Sequence, residues 1–219
     1  MPDDRSERGK MPWFVGRLQA ADKWCWAAAA ASVHATYSAM LSAQGKGAMV
    51  PAWTQCSIVD ENLIGPGKAC SGGPGNGACD LVEEPGKVAP CVINPNMDRE
   101  GFLYIALRKL GLLEGYVVLG SGKSLPVAGV TTAEGDPLVA SDALDFDEIK
   151  ALVDNDRLVC LRIVRGDIRH FVIIYGYEAY PDNDLLIWNP AIGPEVVDFD
   201  GFWREFGPFT HKIITRPPS

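Results

Sequence analysis

The order of elements written into this 219-residue chain predicts an α+β fold. Three observations carry that reading. An alanine-rich run near residue 27 has the composition of a long helix, and further helical patterns follow it. Beyond residue 113, apolar stretches of strand length alternate with turn residues. Nothing repeats internally, and no apolar run approaches the roughly 20 residues of a membrane span. The expected layout is a disordered tail over 1–12, a helical lobe over 13–112 and a β-rich lobe over 113–219. The two lobes form one unit, with the first long helix packed on an antiparallel sheet or barrel.

Trp13-Phe14-Val15 reads as a short entry strand or anchor. The central helix is expected from about Lys23 to Ala43, capped by Asp22 and stopped at Gly45. Its small and apolar residues lie nearly all round, which predicts burial rather than a surface position. Pro51 to Leu63 reads as a second helix with Trp53, Cys56 and Val59 or Leu63 on one face. Residues 65–97 are rich in Gly and Pro and read as a long loop. Asp98 is placed to cap a third helix ending at Leu110, with Gly111 as its stop. Tyr116–Leu119 opens the strands. Asp145-Phe-Asp-Glu148 has the form of a capping box for a short helix to about Asn155. Strands are then expected over 158–164, 170–177, 185–188, 195–199 and 210–215, with a helical turn over 200–205.

Composition narrows the function. The formal charge is −8 and no basic patch is evident, which argues against a nucleic-acid or anionic-membrane partner. Residues 1–10 are polar and charged, so no secretory signal is visible. Six cysteines stand at 25, 56, 70, 79, 91 and 160. Cys160 sits in an apolar strand and reads as a small hydrophobe. Cys56, Cys70, Cys79 and Cys91 border or occupy the Gly/Pro-rich region. Two disulfides among them are favoured over zinc, since no C-x-x-C knuckle occurs, with thiols in a reducing cytosol as the open alternative.

Cys25 has a different character. It falls in the first turn of the central helix, where backbone N–H groups and the helix dipole favour an anion and lower a thiol's pKa. Gln19 lies six residues upstream, and its amide is placed to pair with the Cys25 N–H in holding an oxyanion. A thiol nucleophile needs an imidazole. His34 is nine residues further along the same helix, roughly 13 Å away at 1.5 Å per residue, on the opposite face. His211 lies in the last strand with no polar residue placed to orient it, and reads as structural. His170 heads the apolar run Phe171–Tyr177 and is the expected base. Its orienter is expected on the next strand, and Asn189 in Trp188-Asn189-Pro190 fits, ahead of Asp167 and Asp184. The fit has a condition. A tight turn centred on Asp182-Asn183-Asp184 would leave Asn189 near Gly176, so the hairpin must carry a wider loop or a bulge.

The stretch Gln19-Ala-Ala-Asp-Lys-Trp-Cys25-Trp26-Ala-Ala resembles the papain-like superfamily of cysteine peptidases, especially bacterial members with a Trp-Cys-Trp-Ala-Ala nucleophile sequence. Asp22-Lys23-Trp24 stands where papain and the cathepsins have Cys-Gly-Ser or Cys-Gly-Ala. His170 before an apolar strand ending in Gly176-Tyr177 matches the superfamily pattern too, as does the order of helices then strands. The resemblance implies a papain-like fold and peptide-bond hydrolysis through a Cys25–His170–Asn189 triad resting as a thiolate–imidazolium pair. Cys70-Ser-Gly72-Gly73 is similar to a cleft-lining segment of these enzymes, which implies substrate contacts from Gly72, Gly73 and Trp26. In papain the corresponding cysteine bonds to one three residues before the nucleophile. That position here is Asp22, so Cys70 must pair elsewhere or stay a thiol. The segment before Gln19 is too short for the inhibitory pro-segment of papain relatives.

No cofactor and no metal are called for. The partners implied are a protein or peptide substrate and an immunity or inhibitor protein, in a secreted or injected bacterial toxin or effector, translocated without a visible signal peptide. A cytoplasmic location is the alternative. The competing functions are an amidase or acyltransferase using the same parts, and an effector or binding protein with a vestigial site.

Overall fold

The alanine run forms the longest helix among the described residues, α1 (Cys25–Ala43). In the computed structural model, which describes residues 8–49, 52–64, 102–165, 167–179 and 182–218, Ala27–Ala31 are at most 1% exposed. The helix stops as expected before Gly45, whose φ of 74° suits a residue without Cβ. Its start differs from expectation. Helical structure begins at Cys25, with Trp24 at the N-cap position and no side-chain cap, while Asp22 is exposed. Trp24 is completely buried. Packing of that indole, rather than a capping carboxylate, fixes where the helix begins.

Shorter helices follow. α2 (Gln55–Val59) is entered through a reciprocal Thr54–Ser57 capping box and runs into a π-helical turn over Asp60–Ile64. It is thus shorter than the predicted 51–63, and Gln55, Ile58 and Val59 are its buried residues. α3 (Leu103–Lys109) starts after an extended Phe102, and Gly111 (φ 73°) terminates it as expected. Its expected cap, Asp98, lies outside the described residues.

The remaining elements are β1 (Arg8–Lys10), β2 (Leu113–Val118), β3 (Leu125–Thr131), β4 (Pro137–Ala140), α4 (Phe146–Asp154), β5 (Val159–Arg165), β6 (Ile168–Glu178), β7 (Asp184–Asn189), β8 (Gly193–Asp198), α5 (Phe202–Phe206) and β9 (Phe209–Thr215). Together they make the chain a mixed α+β protein. Its sheet has seven strands in the order β2-β9-β5-β6-β7-β8, with β1 added to β6, and every pairing is antiparallel. Among the described residues β2 and β8 form no pair, so the sheet stays open rather than closing into a barrel. The β3–β4 hairpin is a separate two-stranded sheet. No described helix is long and apolar enough to cross a membrane.

Two expectations for the N-terminal region are corrected. The supposed tail contains a strand, since Arg8, Gly9 and Lys10 pair with Glu178, Tyr177 and Gly176, and Met11 is 1% exposed in the core. Trp13–Val15 is not a strand, although it does anchor the chain: Phe14 stacks on Tyr175 with ring centroids 4.3 Å apart. The β3–β4 hairpin went unread in the sequence.

Side chains alternate across the sheet as strand geometry requires. Phe171, Ile173 and Tyr175 face α1 with Trp24, Trp26 and Tyr37. Val172, Ile174 and Ile187 face the opposite way, with Ile149 and Leu152 of α4 and Phe202 of α5. On that second side Lys212 of β9 is fully buried and meets Glu148 at 2.6 Å. Its ammonium also donates to the Ala143 carbonyl at 2.6 Å. The predicted capping box is therefore half realised. Asp145 accepts from the Glu148 N–H at 2.8 Å, while the Glu148 carboxylate is committed to Lys212 and to the Ser141 N–H.

Removing one partner of a buried ion pair strands the other charge. Lys212→Met is expected to destabilise the fold by about 3–5 kcal/mol in urea titrations. The double variant Lys212→Met, Glu148→Leu should recover part of that loss. A double variant as unstable as the single one would show that the charges do not act as a pair.

Candidate active site

Strand register decides which polar side chains meet at His170. β6 and β7 pair as Glu178↔Asp184, Tyr177↔Leu185 and Gly176↔Leu186, then shift to Ile174↔Ile187 and Ile173↔Trp188. A bulge at Tyr175 and a loop between Glu178 and Asp184 thus meet the condition set by the sequence. One further step places Asn189 across from Val172, on the face that also carries His170. The result is a hydrogen bond of 2.7 Å between His170 Nε2 and Asn189 Oδ1.

Two further partners fix the Asn189 amide. Its Oδ1 accepts from the Ala191 N–H at 3.0 Å, and its Nδ2 donates to Glu195 Oε2 at 2.8 Å. A backbone N–H demands an oxygen and a carboxylate demands a donor, so the amide has one allowed orientation. Oδ1 then faces His170, and Nε2 must be the nitrogen that carries hydrogen. Nδ1 is left to accept a proton.

Burial holds the His170 imidazole below its ordinary pKa, while the bond to Asn189 and the negative charge of Glu195 oppose that shift. Desolvation, which penalises the charged form, is the largest of these effects. A neutral imidazole is the form that takes up a proton as a thiol attacks.

Cys25 occupies the first turn of α1 and is 5% exposed. Its Sγ lies 3.9 Å from the carbonyl oxygen of Arg169, the residue immediately before His170. The helix start thus abuts the strand that carries His170. Gln19 is tied to the same corner by its backbone, whose N–H donates to the Pro190 carbonyl at 2.7 Å. Its amide donates to the Asp22 carbonyl at 3.2 Å. An amide NH2 has two hydrogens. One is given to the Asp22 carbonyl, while the Oε1 of the same amide is buried with no hydrogen-bond partner among the described residues. The structure thus brings His170 and Asn189 into direct contact, and seats Cys25 and Gln19 against the residues that adjoin them.

The other predicted residues divide. His34 is 4% exposed and packs within α1. His211 belongs to β9, two strands from β6, and its Nδ1 bonds the neighbouring Thr210 hydroxyl at 2.9 Å. Trp26 requires correction as a substrate contact: it is 1% exposed in the core around α1 and serves packing. Asp184 pairs with Glu178 at the far end of the β6–β7 hairpin. Gly72, Gly73, Cys70, Cys79 and Cys91 lie outside the described residues. Cys56 is disulfide-bonded, whereas Cys25 and Cys160 keep their thiols. Complete burial pushes the Cys160 thiol well above its usual pKa, which leaves it inert. Among the described residues, no group of three or more His, Cys, Asp or Glu side chains converges to hold a metal.

Two participants were not read from the sequence. Glu195 stands opposite Ile187 on β8, two residues from the Gly193↔Asn189 pair. A short turn after Asn189-Pro190, followed by a strand with a single acid in its middle, was the available signal. Gln55 is 1% exposed and grips both sides of Gln19, accepting from the Ala20 N–H at 2.9 Å and donating to the Leu18 carbonyl at 2.7 Å. Nothing local in the sequence distinguishes it.

A pocket of about 400 Å³ opens beside His170 and Asn189. A larger one of about 720 Å³ lies between the β3–β4 hairpin and α4, with several carboxylates in its lining and without Cys25, Gln19, His170 or Asn189. No protein-family model matches the chain, and no curated protein matches it.

The Glu195 linkage has a measurable sign. Its negative charge raises the pKa of His170, so Glu195→Gln, which keeps an acceptor for Asn189 and removes the charge, should lower the midpoint of the ring's titration. NMR of the imidazole C–H resonances against pH reads this directly. An unchanged or higher midpoint would contradict the arrangement.

Proposed function

We propose that this protein is a thiol hydrolase that cleaves peptide bonds, built on a papain-like plan. The observation that carries the reading is the His170–Asn189 hydrogen bond, formed where the N-terminus of the Cys25 helix meets the His170 strand. Three independent elements (α1, β6 and β7) deliver a nucleophile type, a base and an orienter to one corner. A merely structural cysteine has no need of such neighbours.

The chemistry follows from the roles available. His170 Nδ1 accepts the Cys25 proton as the sulfur attacks the scissile carbonyl. The carbonyl oxygen becomes an oxyanion, stabilised by the Gln19 amide and the first-turn N–H of Cys25. The imidazolium then gives its proton to the leaving amine, and the acyl group remains on Cys25 as a thioester. Water, deprotonated by His170, attacks that thioester and releases the acid. Asn189 keeps the ring in the one tautomer that serves every step, as the third member of such triads does.

Alkylation tests the nucleophile. Iodoacetamide or an epoxysuccinyl probe should label Cys25 near neutral pH far faster than Cys160, and Cys25→Ser should abolish peptide hydrolysis without unfolding the protein. A native Cys25 that resists labelling would sink the reading.

The base is tested by graded damage. His170→Ala should reduce the rate roughly 10²–10⁴-fold. Asn189→Ala should cost less, since it loosens the ring and leaves the base in place. His211→Ala should leave the rate nearly unchanged. Equal losses at His170 and His211 would reject the assignment.

A further inference from the structure

The pocket beside the dyad has an uneven chemistry. Its described walls include Ile163, Ile168 and Phe206 together with His170, Asn189 and the carboxylate of Glu195. Three walls are apolar and the one acid is half-buried. Glu195 gives Oε2 to Asn189, and among the described residues no cation pairs with it. A partly desolvated carboxylate with apolar surroundings favours a cationic partner.

Position assigns the pocket to one half of a substrate. Among the described residues its walls take in His170 and Asn189 and leave out Cys25 and Gln19. The imidazole is the group that protonates the leaving amine, whereas the thiol and Gln19 handle the acyl carbonyl. A side chain lodged here therefore belongs to the leaving-group half.

We infer that this pocket receives a lysine or arginine side chain on the leaving-group side of the cleaved bond, with its aliphatic stem against Ile163, Ile168 and Phe206 and its charged head at Glu195. The inference rests on the hydrolase reading for the word "leaving". The recognition itself is a binding property that does not require turnover. A long basic side chain satisfies both parts of the wall at once, because its methylenes cover apolar surface while its head stays polar. Leucine would cover the same surface and leave the carboxylate without a counter-ion. Glutamate would add a second negative charge beside the first.

Argininamide, leucinamide and glutamic acid α-amide model the three leaving groups, and each carries the amine released by cleavage. Titrated into Cys25→Ser protein, argininamide should shift the His170 ring resonances saturably, with an affinity about tenfold above the other two. Ile168 is 66% exposed, so Ile168→Lys is expected to fold normally. That variant should erase the preference for argininamide and improve binding of the glutamic amide. In the active protein, cleavage of a peptide library should place Lys or Arg after the cut bond more often than chance, and Ile168→Lys should remove the bias. Equal affinities for the three amides, or no saturable shift with argininamide, would overturn the inference whether or not peptides are cleaved. Failure of Cys25 to alkylate would instead remove the hydrolase reading and leave the amide titrations to decide the pocket.

Discussion

The site depends on how closely α1 lies against the sheet. Five consecutive alanines, Ala27–Ala31, put nothing larger than a methyl group around more than a full helical turn, and all are at most 1% exposed. Small residues let the helix backbone approach its neighbours closely, and larger ones would force it outward at a cost of about 1–3 kcal/mol each. The bulky residues are held back to the helix start, where Trp24 and Trp26 flank Cys25 and are themselves buried. A close helix with a wedge of indole at each side of its first residue gives Cys25 little freedom. Its sulfur is consequently set against the backbone of residue 169 rather than exposed to solvent.

The same closeness holds the N-terminal segment in place. Residues 8–20 run as a strap from the far end of β6 to the start of α1. β1 extends the sheet, the Met11 N–H donates to the Tyr175 carbonyl at 2.9 Å, and Phe14 stacks on Tyr175. The strap then crosses α1, where the Val15 and Arg17 N–H groups donate to Thr36 and Ser32, each at 2.9 Å. At Gly16 it passes so near Trp188 that a Cβ would sit 2.3 Å from the indole ring. Trp188 in turn donates to the Arg17 carbonyl at 3.1 Å. With Gln55 gripping Leu18 and Ala20, Gln19 has almost no backbone freedom left. Such preorganisation is what an oxyanion donor requires, since the protein need not reorganise as charge develops.

What the sequence disclosed, and what it hid, follows the range of the interactions. The α+β order, the alanine helix and the later strands are local signals, and the structure contains them with small shifts at their ends. The His170–Asn189 contact was legible because the two residues stand on adjacent strands, 19 positions apart. Arg8–Lys10 was hidden because its reason for being a strand is the exposed edge of β6 beyond the end of β5, more than 150 residues away in sequence. Asp22 misled for a related reason: the long-range burial of Trp24 overrode a plausible local cap. Gln55 and Glu195 act entirely through contacts made in three dimensions, and polar residues of that kind look ordinary in a linear pattern.

An amide in contact with His170, with an acid one hydrogen bond behind it, has an electrostatic consequence. An aspartate in direct contact with His170 would favour imidazolium strongly at rest. Asn189 supplies the acceptor without the charge, and Glu195 supplies the charge from further away. Coulombic attraction falls with distance, so the pull on the ring is weaker than a direct contact would give. Burial acts in the other direction and is the larger effect. When the ring does take a proton, its Nε2 hydrogen bond is already made to an oxygen polarised by the carboxylate behind it. A protonated ring is thus stabilised through that chain, against the opposing effect of burial. A bulge at Tyr175 sets this arrangement. Without the one-residue shift it introduces, the pairing that places Leu186 across from Gly176 would run on unchanged. Asn189 would then fall opposite Ile173, on the face turned towards α1, and the chain from His170 through Asn189 to Glu195 would not assemble.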